Sequence, residues 1–499
     1  MPAPDRRAAA VLAVVLFFSY AYFYQAGGWN QNSRFALIRA VIERSTLRID
    51  AYAAQTGDRA LWQGHYYSDK APGQSMMAFP AVAAARLVSR AAGVDPASFP
   101  GLGWTSYVAA LFTSSLLTVI GALVVLWQSR RWGASLAASV FAAAAYGLAT
   151  PAWAYATLFM GHAPAAGLLI AAFAAAAALE SDDPRLRQRL AWIVGLAGSW
   201  AVVTDFPSGV PAILIGLLAL WRIRRRPPSD IRAVIVRMAI GIAIAAVPLF
   251  VYNTVAFGSP LHLGYASEEG FQQLHNGFFG ITTPRPHIVR ELLIGSYRGL
   301  LPIAPLIALT PIGLWLLLRR PLTRAPALVA CAMPIYYVAL NSSYYYWEGG
   351  WAYGPRHLVP ALPFLCLGLA PLWDRRRLLY RIVLCGAAVW GMAVTFVAVA
   401  TDPQPPSNLT SPVTQLLWPA FKDGELALNR QTFVHGGEDP DSLRDPRIPR
   451  ASWNLGQLAL LPGLWSLAPL EAAWILGCLM LLPERRQTAV GKRGIRPTG

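Results

Sequence analysis

The chain has 499 residues, 55% of them apolar and 13% charged, with a net charge of +17 and a mean hydropathy of +0.42. That is too apolar and too long for one soluble domain, and it suits a chain that crosses a membrane several times. Cys331, Cys366, Cys385 and Cys478 lie in or beside apolar stretches without CxxC spacing, which indicates neither a zinc site nor a disulfide framework.

The first apolar stretch, residues 8–24, follows Arg6 and Arg7. No small-residue cleavage site precedes Gly27-Gly28, so it is read as a membrane span rather than a removed leader. Residues 25–103 form a long segment with many polar groups. Within it Phe35, Ile38 and Ile42 recur at helical spacing, which predicts a surface-lying helix over 33–44. Residues 74–88 are apolar but short for a span, with Arg86 and Arg90 at their end. Further apolar stretches fall at 106–127, 135–150, 163–179, 191–203, 210–221, 238–255, 300–318, 325–340, 358–372, 382–400 and 456–482. With the first they make about twelve expected spans.

If both termini lie inside and 74–88 does not cross, 25 of the 42 basic residues and seven of the 25 acids are inside. The inner side then carries +18 and the outer side −1. A crossing at 74–88 would move every later arginine cluster outside, so that piece is expected to be re-entrant or interfacial. The basic balance therefore reports topology, and no nucleic-acid partner is expected. The expected organisation is a transmembrane module (1–400), an outer loop (401–455), and a last span with a basic inner tail (456–499).

Soluble-enzyme motifs are absent: there is no P-loop, GxSxG, HExxH or GxGxxG. The seven histidines show no metal-ligand spacing, so no metal site is assigned, and a divalent ion is left open. The stretch Gly64-His65-Tyr66-Tyr67-Ser68-Asp69-Lys70-Ala71-Pro72-Gly73 sets an acid beside a base on the outer side. Arg298 and Arg356 are two more cations at that boundary, each beside Gly or Pro. Such a trio either anchors the chain among interfacial aromatics or converges on a phosphate. Among the acids, Asp50, Asp58 and Asp69 share the first loop, Asp205 ends a span, and Glu348 sits between aromatic and glycine residues. His65, Tyr67, Glu348 and Tyr353 are the expected cavity-lining residues.

These stretches resemble the GT-C-fold membrane glycosyltransferases of the protein-mannosyltransferase and aminoarabinose-transferase type. Tyr66-Tyr67-Ser68-Asp69-Lys70-Ala71-Pro72 is similar to that family's Tyr-Phe-Glu-Lys-Pro-Pro-like segment. Ser33-Arg34-Phe35-Ala36 resembles an Arg-Tyr-(Ala/Asp)-Glu element just after the first span. Weaker likenesses lie at Phe257–Tyr265, Tyr297-Arg298-Gly299-Leu300 and Gly350–Arg356. One departure is clear. The family's acid should fall near Ala36–Leu37, where there is no carboxylate, and Asn30 and Asn32 are the nearest polar groups.

The resemblance implies an all-α polytopic membrane protein of about twelve transmembrane helices, with interfacial helices in a long first extracytoplasmic loop. It implies an enzyme that moves a sugar from a polyprenyl-phosphate carrier to an acceptor hydroxyl, and the expected location is the plasma membrane with both termini cytoplasmic. Lys70, Arg298 and Arg356 are expected to hold the donor phosphate. Asp50, and then Asp69, are the expected catalytic acids, Asp69 having orientation of Lys70 as its other role. Membrane lipid is an expected partner, while the sugar and the acceptor stay open. The competing readings are a transporter or flippase of lipid-linked sugar and a non-catalytic cell-envelope assembly protein.

Overall fold

The computed structural model describes residues 3–375, 377–430, 432–433 and 450–481. Arg376, His435 and the basic tail beyond residue 481 lie outside the described residues. Among those described, helices dominate, with two short antiparallel strand pairs. Six helical segments are long and apolar enough to cross a membrane: Phe99–Arg131, Phe206–Ile223, Pro228–Phe257, Pro321–Ser343, Leu378–Thr401 and Gly463–Leu481. Leu136–Leu148, His162–Ala177 and Pro305–Leu318 are apolar but shorter. The expected count of twelve is thus not reproduced by length and composition. Prolines help to explain the shortfall, because Pro cannot continue the helical bond ladder. The expected 358–372 span, for example, is a 3-10 turn followed by two five-residue helices, with Pro360, Pro363 and Pro371 among them.

Side chains on the long helices face outward as apolar groups, among them Ile213, Val247, Ile335 and Val389. This is what a lipid surface requires, since it offers no hydrogen-bond partners. Inside, small residues let helices approach closely. A Cβ on Gly195 would lie 2.3 Å from the Met238 carbonyl oxygen, and one on Gly241 would lie 2.7 Å from the Leu196 nitrogen. Helices Pro184–Thr204 and Pro228–Phe257 therefore pack backbone to backbone at these glycines.

Polar contacts sort into the two groups that the charge count separated. In one, Asp5 pairs with Arg130 at 2.8 Å, Arg187 with Asp230 at 2.6 Å, and Arg226 with Asp182 at 2.8 Å. In the other, β1 (Phe23–Tyr24) pairs with the strand Trp453–Asn454, and Arg59 pairs with Glu269 at 3.1 Å. The predicted helix over 33–44 is present as α1 (Trp29–Arg44), but it does not have a wet face. Every residue from Asn30 to Ala40 is buried. Residues 74–88 lie in α2 (Gly73–Ala91), which contains Pro80 and packs against α1 and the helix Phe99–Ala110.

Candidate active site

The first loop contains a hairpin. Strands β2 (Arg59–Trp62) and β3 (His65–Ser68) pair with Arg59 opposite Ser68 and Trp62 opposite His65. The two-residue turn is Gln63-Gly64, at φ 50° and 80°. Positive φ at both positions is the geometry that lets a two-residue turn follow the twist of paired strands. The register has a consequence at the open end. Asp58 immediately precedes β2, Asp69 immediately follows β3, and the pairing brings the two carboxylates together. Lys70 Nζ lies 3.0 Å from Asp58 Oδ2 and 2.7 Å from Asp69 Oδ2.

This cluster faces a cavity of about 550 Å³. Its lining carries the charged residues Asp58, Asp69, Lys70, Glu268, Arg34 and Arg356. It also carries aromatic residues, Phe206, Tyr265, Phe279, Tyr336, Tyr337 and Tyr344. Tyr265 touches both kinds. Its ring lies 5.6 Å from Lys70 Nζ and 5.8 Å from the Phe206 ring.

Burial pushes the Asp69 carboxyl up to about 6; Lys70 pulls against this, and Asp58 and Glu268 add to it. For Lys70, burial alone would favour the neutral amine. Asp58 and Asp69 outweigh it and hold the ammonium well above its ordinary range. Asp69 Oδ1 also accepts from Ser33 Oγ at 3.3 Å, so both Asp69 oxygens are engaged. Asp58 uses Oδ2 on Lys70, and its own backbone N–H donates to Thr56 Oγ1 at 3.0 Å. Glu268 is held by the backbone N–H groups of Gly270 and Phe271, both at 2.7 Å, and burial raises its carboxyl.

The two arginines come from different parts of the chain. Arg34, on α1, donates through Nε to Asn30 Oδ1 at 3.1 Å and through Nη1 to the Ala71 carbonyl at 2.8 Å. It therefore ties α1 to the residue following Lys70. Asp205 and His162 pair at 3.2 Å on the same cavity. Burial works against the Asp205 charge, but His162, Arg34 and Arg356 outweigh burial and keep the carboxyl below its usual range. Among the described residues no three His, Cys, Asp or Glu side chains gather in a metal-binding group.

Of the sequence-predicted residues, Asp69, Lys70 and Arg356 meet at the cavity. The others do not line it. Asp50 lies in a 3-10 turn (Asp50–Gln55), where its carboxylate accepts from the Tyr66 N–H at 2.6 Å and bonds His65 Nδ1 at 2.9 Å. Both side chains of that pair are substantially exposed. Tyr67 packs on Phe257 with ring centroids 5.3 Å apart. Tyr353 is buried in the helical core, its hydroxyl 3.3 Å from Thr395 Oγ1.

Arg298 is buried and spent on main-chain oxygens. It donates to the carbonyls of Glu348 (3.0 Å), Gly350 and Ala352, and to the Tyr297 hydroxyl at 3.1 Å. Glu348 therefore contributes its carbonyl to this clamp. The clamped loop carries Gly349 at φ 72°, and a Cβ there would lie 2.6 Å from Arg356 Nε. Arg298 thus shapes the loop that backs Arg356. Lys70, Arg34 and Arg356 line the same cavity, and Arg298 is not among its lining residues. Sequence reasoning passed over the hairpin that places Asp58, although Gln63-Gly64 between two four-residue strand-like runs was a usable signal.

No protein-family model matches the sequence, and a sequence search of curated proteins finds no match either. The chain nevertheless has the GT-C fold of multi-pass membrane proteins. It superposes on ArnT from Cupriavidus metallidurans bound to undecaprenyl phosphate with a TM-score of 0.54 and 19% identity, covering 95% of this chain and 74% of that one. The apo state of the same protein gives a TM-score of 0.51, with the same identity and coverage. The oligosaccharyltransferase AglB from Archaeoglobus fulgidus, in complex with an inhibitory peptide and a dolichol-phosphate, gives 0.50 at 14% identity, over 78% of this chain and 55% of that one.

Proposed function

We propose that this protein is an integral membrane glycosyltransferase that takes a sugar from a polyprenyl-phosphate carrier and transfers it to an acceptor hydroxyl on the extracytoplasmic side. The observation that carries the reading is the Asp58–Lys70–Asp69 cluster, which lines a large cavity together with Arg34 and Arg356. The GT-C fold supports it, since ArnT is solved with undecaprenyl phosphate and AglB with a dolichol-phosphate. The plasma membrane is the proposed location, with the basic ends of the spans cytoplasmic.

The chemistry follows from donor counts. An ammonium has three N–H groups, and Lys70 donates to Asp69 while ion-paired with Asp58, which leaves it donor capacity for the donor phosphate. Arg34 and Arg356 add fixed charge in the same cavity. The acceptor oxygen attacks the anomeric carbon, and the bond from that carbon to the phosphate oxygen breaks. The phosphate leaves with the bonding pair and gains a charge, which these cations stabilise more in the transition state than in the ground state. The acceptor proton needs a base. Asp58 takes that role, because its Oδ1 carries none of the bonds that occupy both Asp69 oxygens. Asp69 orients Lys70. Asp50 is not proposed as the base, because its carboxylate is tied to His65 and Tyr66 away from the cavity. The test is to incubate purified protein with undecaprenyl-phosphate sugars and follow release of the lipid phosphate. Release that depends on Asp58 is expected; binding of the carrier without any release or transfer would contradict the reading.

A further inference from the structure

Asn341 stands out among the polar residues of the cavity. It lies near the end of the helix Pro321–Ser343, is 1% exposed, and lines the cavity. Neither its Oδ1 nor its Nδ2 has a hydrogen-bond partner. Its neighbours on the helix are satisfied within the protein. Tyr336 donates to the Pro207 carbonyl at 2.7 Å, and Ser342 and Ser343 donate to the Ala339 carbonyl at 3.0 and 2.7 Å. An amide buried with both ends unpaired is costly, which makes a ligand the natural source of its partners.

The side chain also says what kind of ligand. An amide needs an acceptor for its N–H groups and a donor for its oxygen. A phosphodiester supplies only acceptors, and an isoprenoid chain supplies neither. Neighbouring hydroxyls of a sugar supply both. The surrounding rings of Tyr336, Tyr337, Tyr344 and Phe279 offer apolar walls for the C–H faces of a sugar. His357 is a second such group on this cavity, its buried Nε2 lacking a partner and its ring 5.6 Å from that of Tyr344. Tyr344, whose backbone N–H donates to the Asn341 main-chain carbonyl at 3.3 Å, lines the same cavity as Lys70 and Arg356.

We infer that Asn341 is a specificity-determining residue that reads hydroxyl groups on the transferred sugar, at a subsite in the same cavity as the charged cluster. The inference rests on the proposed donor. It is tested with purified full-length protein, by comparing affinity for undecaprenyl phosphate with affinity for its mannosyl, glucosyl and arabinosyl derivatives. The wild type should hold at least one glycosylated carrier more tightly than the bare one. Asn341→Leu should abolish that preference, a loss of roughly tenfold or more, and leave bare-carrier binding within about twofold. Asn341→Leu should also unfold no earlier than the wild type without ligand, since it removes an unpaired buried amide. Asn341→Ser, which keeps a hydroxyl, is the second variant and should retain part of the preference. A wild type that holds bare and glycosylated carriers equally overturns the inference alone, as does an Asn341→Leu protein that weakens both equally or neither. A wild type that binds no carrier at all overturns the proposed function as well.

Discussion

Lys70 is held by two carboxylates, hydrogen-bonded to Asp69 and ion-paired with Asp58, whereas Arg298 uses all three guanidinium nitrogens on oxygens of a neighbouring loop and on Tyr297. Both are cations largely withdrawn from solvent, Arg298 fully buried and the Lys70 side chain 11% exposed. What separates them is how they are satisfied. Carbonyls hold a cation in place without neutralising it and leave it no route to a ligand. Two carboxylates hold Lys70 at the edge of a cavity, with a donor unspent. A buried cation is therefore a binding group or a strut according to the donors it has left, and this depends on residues distant in sequence.

Variants can break or sharpen that contrast. The largest effect is expected for Asp58→Asn, which keeps the hairpin but removes the proton acceptor. Turnover at saturating donor should fall roughly 10²–10⁴-fold, and a measured fall under tenfold would take Asp58 out of the role. Lys70→Ala comes next, at roughly 10²-fold or more in turnover, with donor affinity also reduced. Lys70→Arg should recover only part of this, because the cluster is shaped for a compact charge. Arg298→Lys should act mainly on folding. It cannot span the four acceptors, so thermal denaturation should show a loss of about 1–3 kcal/mol, while turnover per folded molecule changes much less than in Lys70→Ala.

The pH response is smaller again. The Asp69 carboxyl is raised to about 6, so acid restores its proton well before an ordinary carboxylate would take one up. As pH falls through about 6, Lys70 loses one of its two charged partners and turnover should decline. In Asp69→Asn that acid limb should vanish or move lower, whatever the remaining activity, as a pH–rate profile would show. The smallest effect is expected at Asp50. Asp50→Asn breaks an exposed pair with His65 and should leave turnover within about twofold of the wild type.

Much of this was legible in the sequence, and what was missed has a common cause. Apolar stretches marked many of the helices, although the expected count of twelve spans is not reproduced. Asp69 and Lys70 were visible because acid, base and turn are contiguous. Asp58 was visible only as one acid among three, since its place depends on strand register across Gln63-Gly64. The sequence marks Arg34 by its neighbours, not by its contact with the Ala71 carbonyl, 37 residues away. Arg298 was misplaced because local glycines cannot reveal a clamp on carbonyls some fifty residues further on. Asn341 gave no signal at all, for an unpaired amide is a property of its surroundings.

The most direct measurement is the affinity of undecaprenyl phosphate for the wild type, Lys70→Ala and Arg298→Lys, with folding of each checked by its melting curve. If Lys70 faces the donor phosphate and Arg298 holds the loop, Lys70→Ala should weaken binding roughly tenfold or more, in line with the loss of one charge-assisted hydrogen bond. Folded Arg298→Lys should stay within about twofold of the wild type. Wild-type affinity in Lys70→Ala, with binding lost in well-folded Arg298→Lys, would contradict the account.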